Sequence, residues 1–161
     1  MILETNIMAA SQPLDEQANS VELNTRFGKL TLDRSKAISM NAKMLGFSDS
    51  SHFGLIDIPG NAQLPYKLWQ SYDNENVSFI VYPYMTGNEI VDFQEIQDAA
   101  THHGVAPEDV AAVFVVKIDK HEDGKLSLSV NLQAPIIIDT AKQTAWQHIF
   151  PHNKYPVDFA L

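Results

Sequence analysis

From residue 126 to residue 132 apolar and polar positions alternate without a break. Leu126, Leu128, Val130 and Leu132 are set against Ser127, Ser129 and Asn131. A period of two marks a strand with one face on a core and the other in water. Ala134 and Pro135 interrupt it, because proline has no amide to give to a ladder. Ile136, Ile137 and Ile138 follow, a β-branched run that is apolar on both faces. The pattern predicts a half-solvated strand that bends at a proline and continues buried on both sides. Residues 131–140 are thus core architecture, and the rest of the chain is organised around them.

Other segments read in the same way. Val21 and Leu23 alternate with Glu22 and Asn24, and Leu30 and Leu32 do so across Thr31, which predicts a hairpin with Gly28 at its tight position. Residues 36–44 read as a helix or as a strand followed by loop. Residues 53–58 read as a strand ended by the turn Pro59-Gly60. Residues 66–72 and 77–82 are aromatic-rich strands around a turn at 73–76, the second stopped by Pro83. Asp92 and Glu95 have capping-box spacing, in which each side chain satisfies an exposed amide at a helix start. Phe93, Ile96, Ala99, Ala100 and His103 then share one helical face, and Gly104 is a natural terminator. Residues 110–118 form a nearly unbroken apolar strand, 119–124 a hairpin loop, and 144–150 and 155–159 the last strands, separated by Pro151. The fold class is therefore mostly β: a small antiparallel β-barrel or sandwich-like domain with one short helix at about residues 93–103. Residues 1–20 are polar and irregular and are expected to be a mobile N-terminal extension; residues 21–161 form the single β-domain.

Composition narrows the class. The chain has 161 residues, 45% of them apolar and 19% charged, as expected of one globular domain. No apolar run approaches the roughly 20 residues of a membrane span. Glu4 stands where a signal peptide carries positive charge. The expectation is a cytoplasmic protein with no membrane association. The absence of cysteine excludes disulfides, thiolate nucleophiles and thiolate metal sites. Twenty acidic residues against eleven lysines and arginines give a net charge of −9. That balance counts against direct nucleic-acid binding, which draws its affinity from phosphate neutralisation. It suits a basic protein partner, and equally plain solubility.

Motifs for catalysis are missing. None of the seven glycines forms Gly-x-Gly, so there is neither a dinucleotide fingerprint nor a phosphate loop. No Gly-x-Ser-x-Gly elbow occurs, and Ser71 falls in a strand, where packing or hydrogen bonding accounts for it. Of the six histidines, His148 and His152 are four apart, but Pro151 breaks any helix between them. The histidines read as surface residues, with His103 lidding the helix's apolar face, and no metal site is expected. Asp57, Asp119 and Asp139 lie at strand ends, in positions of turn formation and edge protection. Trp69 and Trp146 read as core. No catalytic residue and no cofactor is expected.

The segment Asn-Leu-Gln-Ala-Pro-Ile-Ile-Ile-Asp (131–139) resembles the Asn-Leu-x-Ala-Pro-Ile-Val-Ile-Asn block of the FliW family of flagellar assembly factors. Val-Glu-Leu-Asn-Thr-Arg-Phe-Gly (21–28) resembles that family's opening strand, and Tyr-Lys-Leu-Trp-Gln-Ser-Tyr (66–72) its Phe-x-x-Leu-Gln-Ser block. Val-Ser-Phe-Ile-Val (77–81) is similar to its Ala-Phe-Val-Val strand. Asp92-Phe93 sits where the family often has Asp-Tyr, and Tyr155-Pro-Val looks like its tail. The chain departs from the pattern at residues 40–47, which keep only Gly46 and Phe47 of a longer Pro/Gly motif. It departs again at Asp158, where a basic residue is frequent.

The resemblance implies a non-enzymatic regulator that binds flagellin and the RNA-binding translational repressor CsrA in a partner switch, relieving repression of flagellin translation. By position, the expected contact residues are Tyr84, Asp92 and Phe93, where a strand leaves the barrel for the helix, with the acidic loop residues Asp73 and Glu75 as a second candidate. The plainer alternative makes Phe93 core and the acids solvated. Two other readings compete: a FliW-like barrel with a diverged protein partner, and a small-ligand-binding barrel. The last requires a cavity with convergent polar groups, and a barrel filled by Trp69, Phe79 and Ile137 would count against it.

Overall fold

The computed structural model describes residues 19–42, 44, 46–85 and 90–161. Most of the expected N-terminal extension, residues 1–18, lies outside the described residues. Strands β1 (Ser20–Thr25) and β2 (Gly28–Asp33) pair antiparallel as the expected hairpin, Thr25 opposite Gly28. Gly28 takes φ +104°, a backbone conformation that a Cβ disfavours. After a 3-10 turn (Arg34–Lys36), β3 (Ile38–Met40) settles the ambiguous segment as strand. An antiparallel meander follows: β4 (His52–Asp57), β5 (Lys67–Ser71) and β6 (Ser78–Pro83). Helix α1 (Phe93–His102) ends at Gly104, φ +77°, and leads to β7 (Val110–Lys120) and β8 (Leu126–Val130). The chain finishes with β9 (Ile136–Asp139), β10 (Thr144–Gln147) and β11 (Phe159–Ala160).

Seven of these strands close on themselves, in the order β7-β6-β5-β4-β3-β10-β9, with β9 pairing back onto β7. A ring with an odd number of strands cannot alternate direction all the way round, so at least one neighbouring pair must be parallel. That pair is β3 with β10, Ser39 opposite Thr144. The expected antiparallel β-barrel with one helix is present, closed by this one parallel pair.

Closure rests on the proline bend. β8 pairs with residues 116–120 of β7, and β9 pairs with residues 110–113 of the same strand. Between the two ladders, residues 131–135 face only residues 114 and 115, so one side carries three extra residues. This is a large bulge, and a bulge bends the strand that carries it. Every residue of β9 is buried, as the apolar run predicted.

The alternation sorts the core into three clusters. Inside the barrel are Phe53, Trp69, Val81, Val113, Ile136 and Ile138. On one outer face the β1–β2 hairpin brings Leu23, Leu30 and Leu32 onto Leu68. On another, α1 brings Ile96, Ala99 and Ala100 together with Ala112, Phe114 and Ile137. Ile137 therefore packs under the helix and does not fill the barrel; neighbours on a strand point to opposite faces, and Ile136 and Ile138 take the interior.

Two expectations from the pattern fail at the edges. Leu126 is 64% exposed and Ile118 46% exposed, at the end of the β7–β8 pair next to its connecting loop. The last strands are also shorter than expected. β10 stops at Gln147 although the amides of His148 and Phe150 still donate in register to the carbonyls of Pro135 and Gln133. No bond returns, because Pro135 has no amide and that of Gln133 goes to the Asn131 side chain. The final strand, β11, then forms only where Phe159 reaches Val130.

These placements separate two residues of one apolar class. Ile137→Ala is expected to destabilise the fold by about 2–5 kcal/mol, the usual cost of emptying a closed core site. Leu126→Ala is expected to stay within about 0.5 kcal/mol. Urea unfolding of the two variants checks this, and equal losses would contradict the assignment.

Candidate functional site

The start of α1 is built by Asp92, whose carboxylate accepts the Gln94 amide at 2.8 Å. The reciprocal half of the capping box does not form. Glu95 turns instead to the C-terminal tail, accepting from the Lys154 ammonium and the Tyr155 hydroxyl. An ionised donor makes the stronger bond, so it takes the carboxylate from a neutral amide. Partial burial opposes the charge on Glu95, but the Lys154 and Tyr155 bonds outweigh it and hold its carboxyl below the usual range.

Tyr84 stands where β6 hands over to the segment before the helix. Its hydroxyl donates to the Val91 carbonyl at 3.1 Å, and its ring lies 6.4 Å from Phe114. Phe93 is 43% exposed, although the helical pattern placed it with the apolar stripe. By angle it lies within about 20° of buried Ala100, so its exposure comes from its place in the first turn, ahead of buried Ile96, Ala99 and Ala100. Tyr84 thus reaches Val91, the residue before Asp92 and Phe93 in the chain, and exposed Met85 follows Tyr84.

Asp73 and Glu75 lie at the opposite end of β6 and hold loops in place. The Asp73 carboxylate accepts the Ser51 and His52 amides at 2.7 and 2.9 Å. Burial works against its charge, but these amides and the His52 ring prevail and keep the carboxyl below the ordinary range. Glu75 accepts the Asn24 amide of β1 at 2.9 Å. Of the five expected contact residues, Asp73 and Glu75 are thus architectural, while Asp92 and Phe93 are exposed at the helix start, directly after the Val91 that Tyr84 holds.

Gln133 and the histidines carry more than the sequence indicated. The buried Gln133 side chain donates to the Phe150 carbonyl and accepts the Tyr155 amide at 2.9 Å, and Leu132 donates to the Pro156 carbonyl. The bulge thereby clamps the tail. His103 stacks on Trp146 at 5.2 Å and shares a hydrogen bond of 3.0 Å with His148, with the His102 ring alongside. The expectation of simple surface histidines is corrected for His103 and His148, which are half-buried, while His102 is exposed. Nothing local in the sequence announces a pairing across 45 positions. Among the described residues no three His, Asp or Glu side chains are placed to hold a metal ion.

The barrel interior is filled by the Phe53–Trp69 stack, 5.1 Å between ring centres, and by its aliphatic neighbours. Where Ile38, Leu55, Ala111 and Ile138 meet Asp139 there is an apolar hollow of about 260 Å³. Small-molecule sites run to roughly 300–1,000 Å³ with convergent polar groups. A hollow of about 360 Å³ has that size, but Arg26 is the one charged side chain among Phe27, Phe79, Ile80, Val116 and Ile118. A groove of about 250 Å³ lies between α1 and residues 148–151. No helix of the described residues is long and apolar enough to cross a membrane.

The family model for the FliW protein matches residues 22–161, nearly all of the described barrel and helix. The chain belongs to the FliW family. It is 28% identical over 146 residues to the flagellar assembly factor FliW of Syntrophus aciditrophicus, covering 85% of this chain and 84% of that one. With the Bacillus velezensis protein of the same name it shares 29% identity over 131 residues, 80% of this chain and 87% of the relative. A crystal structure of the flagellar assembly factor FliW superposes with a TM-score of 0.64 at 19% identity, covering 87% of this chain and 96% of that one; it bears on the fold alone. These relatives carry the name of an assembly factor and not of an enzyme.

The blocks that resemble other FliW proteins coincide with the joints of the structure. Thr25 accepts the Phe27 amide and donates to the Gly28 carbonyl, while Arg26 reaches the Ser78 carbonyl at 2.7 Å. Ser71 donates to Ser50 and accepts the amides of Asp73 and Asn74. Gly46 takes φ +83°, and Phe47 packs edge-on against Phe79 at 4.9 Å.

The histidine pair predicts a pH dependence. Burial first, and the neighbouring imidazoles second, hold His103 and His148 below the ordinary histidine range. An unfolded histidine takes up its proton near pH 6.5. Below that pH the unfolded chain binds more protons than the folded one, so stability is fully present above about pH 6.5 and is lost as pH falls toward the lower folded values. The thermal midpoint is expected to be flat above about pH 7 and to drop toward pH 5.5, less steeply in His148→Gln. An equal slope in the variant would remove the pair as its source.

Proposed function

We propose that this chain is a flagellar assembly factor that works by exclusive binding and not by catalysis. In this reading it engages a CsrA-type RNA-binding repressor and flagellin in turn, in the cytoplasm, and relieves repression of flagellin translation by sequestering the repressor. The observation that carries the proposal is the family match across residues 22–161. The net charge of −9 supports a basic partner, since an RNA-binding surface is basic. The exposed Phe93 beside Asp92, just after the Val91 carbonyl that Tyr84 holds, supports a contact surface of an aromatic anchor with an acidic rim.

Exclusive binding turns concentration into a signal. When flagellin stands at about 100 times its dissociation constant, the apparent affinity for the repressor falls about a hundredfold, with no change in either site. Export of flagellin restores it.

Isothermal titration with the host CsrA-type protein, with flagellin, and with both together tests the reading. Saturable binding to each, with one displacing the other, is the expected result. Phe93→Ala is expected to weaken at least one partner by about tenfold or more. Asp92→Lys should do the same, while Asp92→Asn, which keeps the helix cap, controls for a damaged helix. Binding of neither protein would reduce the likeness to a shared fold with a different partner.

A further inference from the structure

The groove between α1 and residues 148–151 lies on the same helix as Asp92 and Phe93 but along another flank. Glu95, Asp98, Ala99 and His102 line it from the helix, and His148, Phe150 and Pro151 from the other side. Its volume of about 250 Å³ suits one long side chain better than a drug-sized molecule. Two carboxylates stand one turn apart on its helical wall, and Ala99, Phe150 and Pro151 give it an apolar lining. The chain itself shows what one of those carboxylates takes, because Glu95 is occupied by the Lys154 ammonium. Asp98 is exposed and accepts the Gln94 side-chain amide through one oxygen, at 2.9 Å. His148 is held toward its neutral form by burial, so it sets no cation against an incoming positive charge.

We propose that this groove receives an arginine side chain from a basic protein partner, the guanidinium on Asp98 and the methylene stem on Ala99, Phe150 and Pro151. A guanidinium fits better than an ammonium, because its plane can lie against an imidazole while its forked donors meet a carboxylate. The stem covers apolar surface while the head keeps its charge partner. The net charge of −9 favours approach of such a partner. The inference rests on the reading of the chain as a binder of a basic RNA-binding protein, and it adds a second contact to the one at Tyr84, Asp92 and Phe93.

The test has two arms on the full chain. In the first, ¹H–¹⁵N spectra are recorded during titration with acetyl-arginine amide and, separately, acetyl-citrulline amide, which has the same shape without the charge. Saturable shifts at Ala99, His102, His148 and Phe150 with arginine alone, weakened about fivefold or more in Asp98→Asn, are expected. No saturation, or an equal response to citrulline, would overturn the proposal. In the second arm the CsrA-type protein is titrated into the parent chain and into Asp98→Lys. A loss of about tenfold or more in the variant supports the groove as a contact, and equal affinity overturns it. Arginine saturation with no binding of the CsrA-type protein would sustain the groove and sink the choice of partner, so the two failures are distinguishable.

Discussion

The barrel depends on one strand serving two partners along a single edge. β7 holds β8 with its second half and β9 with its first, and the five residues between those partners face only two. Without that excess, β8 would run straight on and β9 would not bend round to meet β10. Backbone polar groups freed by such a bulge must still find partners. Here Asn131 donates its amide to Val115, and the carbonyls of Gln133 and Pro135 accept from Phe150 and His148. The bulge is thus both the hinge of the barrel and the anchor of the tail. A second consequence is the parallel seam of β3 and β10, sealed where Ser39 donates to the Gln143 carbonyl and Asn41 to the Ala145 carbonyl.

A barrel closed in this way leaves little room for chemistry inside. Phe53 stacks on Trp69, and Ile136 and Ile138 complete the filling. Recognition is left to the outer faces, and two of these are already used, one by the hairpin and one by the helix. The surface proposed for partners is the rim of the helix: its exposed first turn on one side and the acid-walled groove on the other. Acidic residues around the exposed Phe93 are well suited to binding a basic surface.

The fold was largely legible because period two is a local signal. The alternation at Leu126, Leu128 and Val130, the proline at 135 and the three isoleucines told of a bend and a buried strand, and each is present. What local pattern cannot contain is a neighbour from far along the chain. Glu95 had the spacing of a capping box, and a lysine 59 positions later took its carboxylate. Ile137 was one apolar residue among three, and only closure of the sheet decides that it meets the helix while its neighbours enter the barrel. Phe93 fell on the apolar face by angle, yet the first turn leaves it open to solvent. The histidine pair and the clamp of Gln133 are of the same kind, since tertiary contacts make them and spacing does not record them.

Under the proposed function, helix α1 offers a way for two partners to exclude one another without identical footprints. Its first turn carries Asp92 and Phe93, while Glu95 is bound to the tail through Lys154 and Tyr155. The tail in turn is held by Gln133 in the bulge. A ligand that draws Lys154 off Glu95 frees a carboxylate on the groove wall and removes a support of the helix start. One that settles on Phe93 fixes the helix start and with it the geometry of that wall. Coupling of this sort needs no long path, only a single element whose two flanks are read by different ligands, and the coupling must be equal in both directions. A fold with one short helix on a rigid barrel concentrates that coupling in the helix, because the barrel beneath it has a filled interior and little freedom to respond.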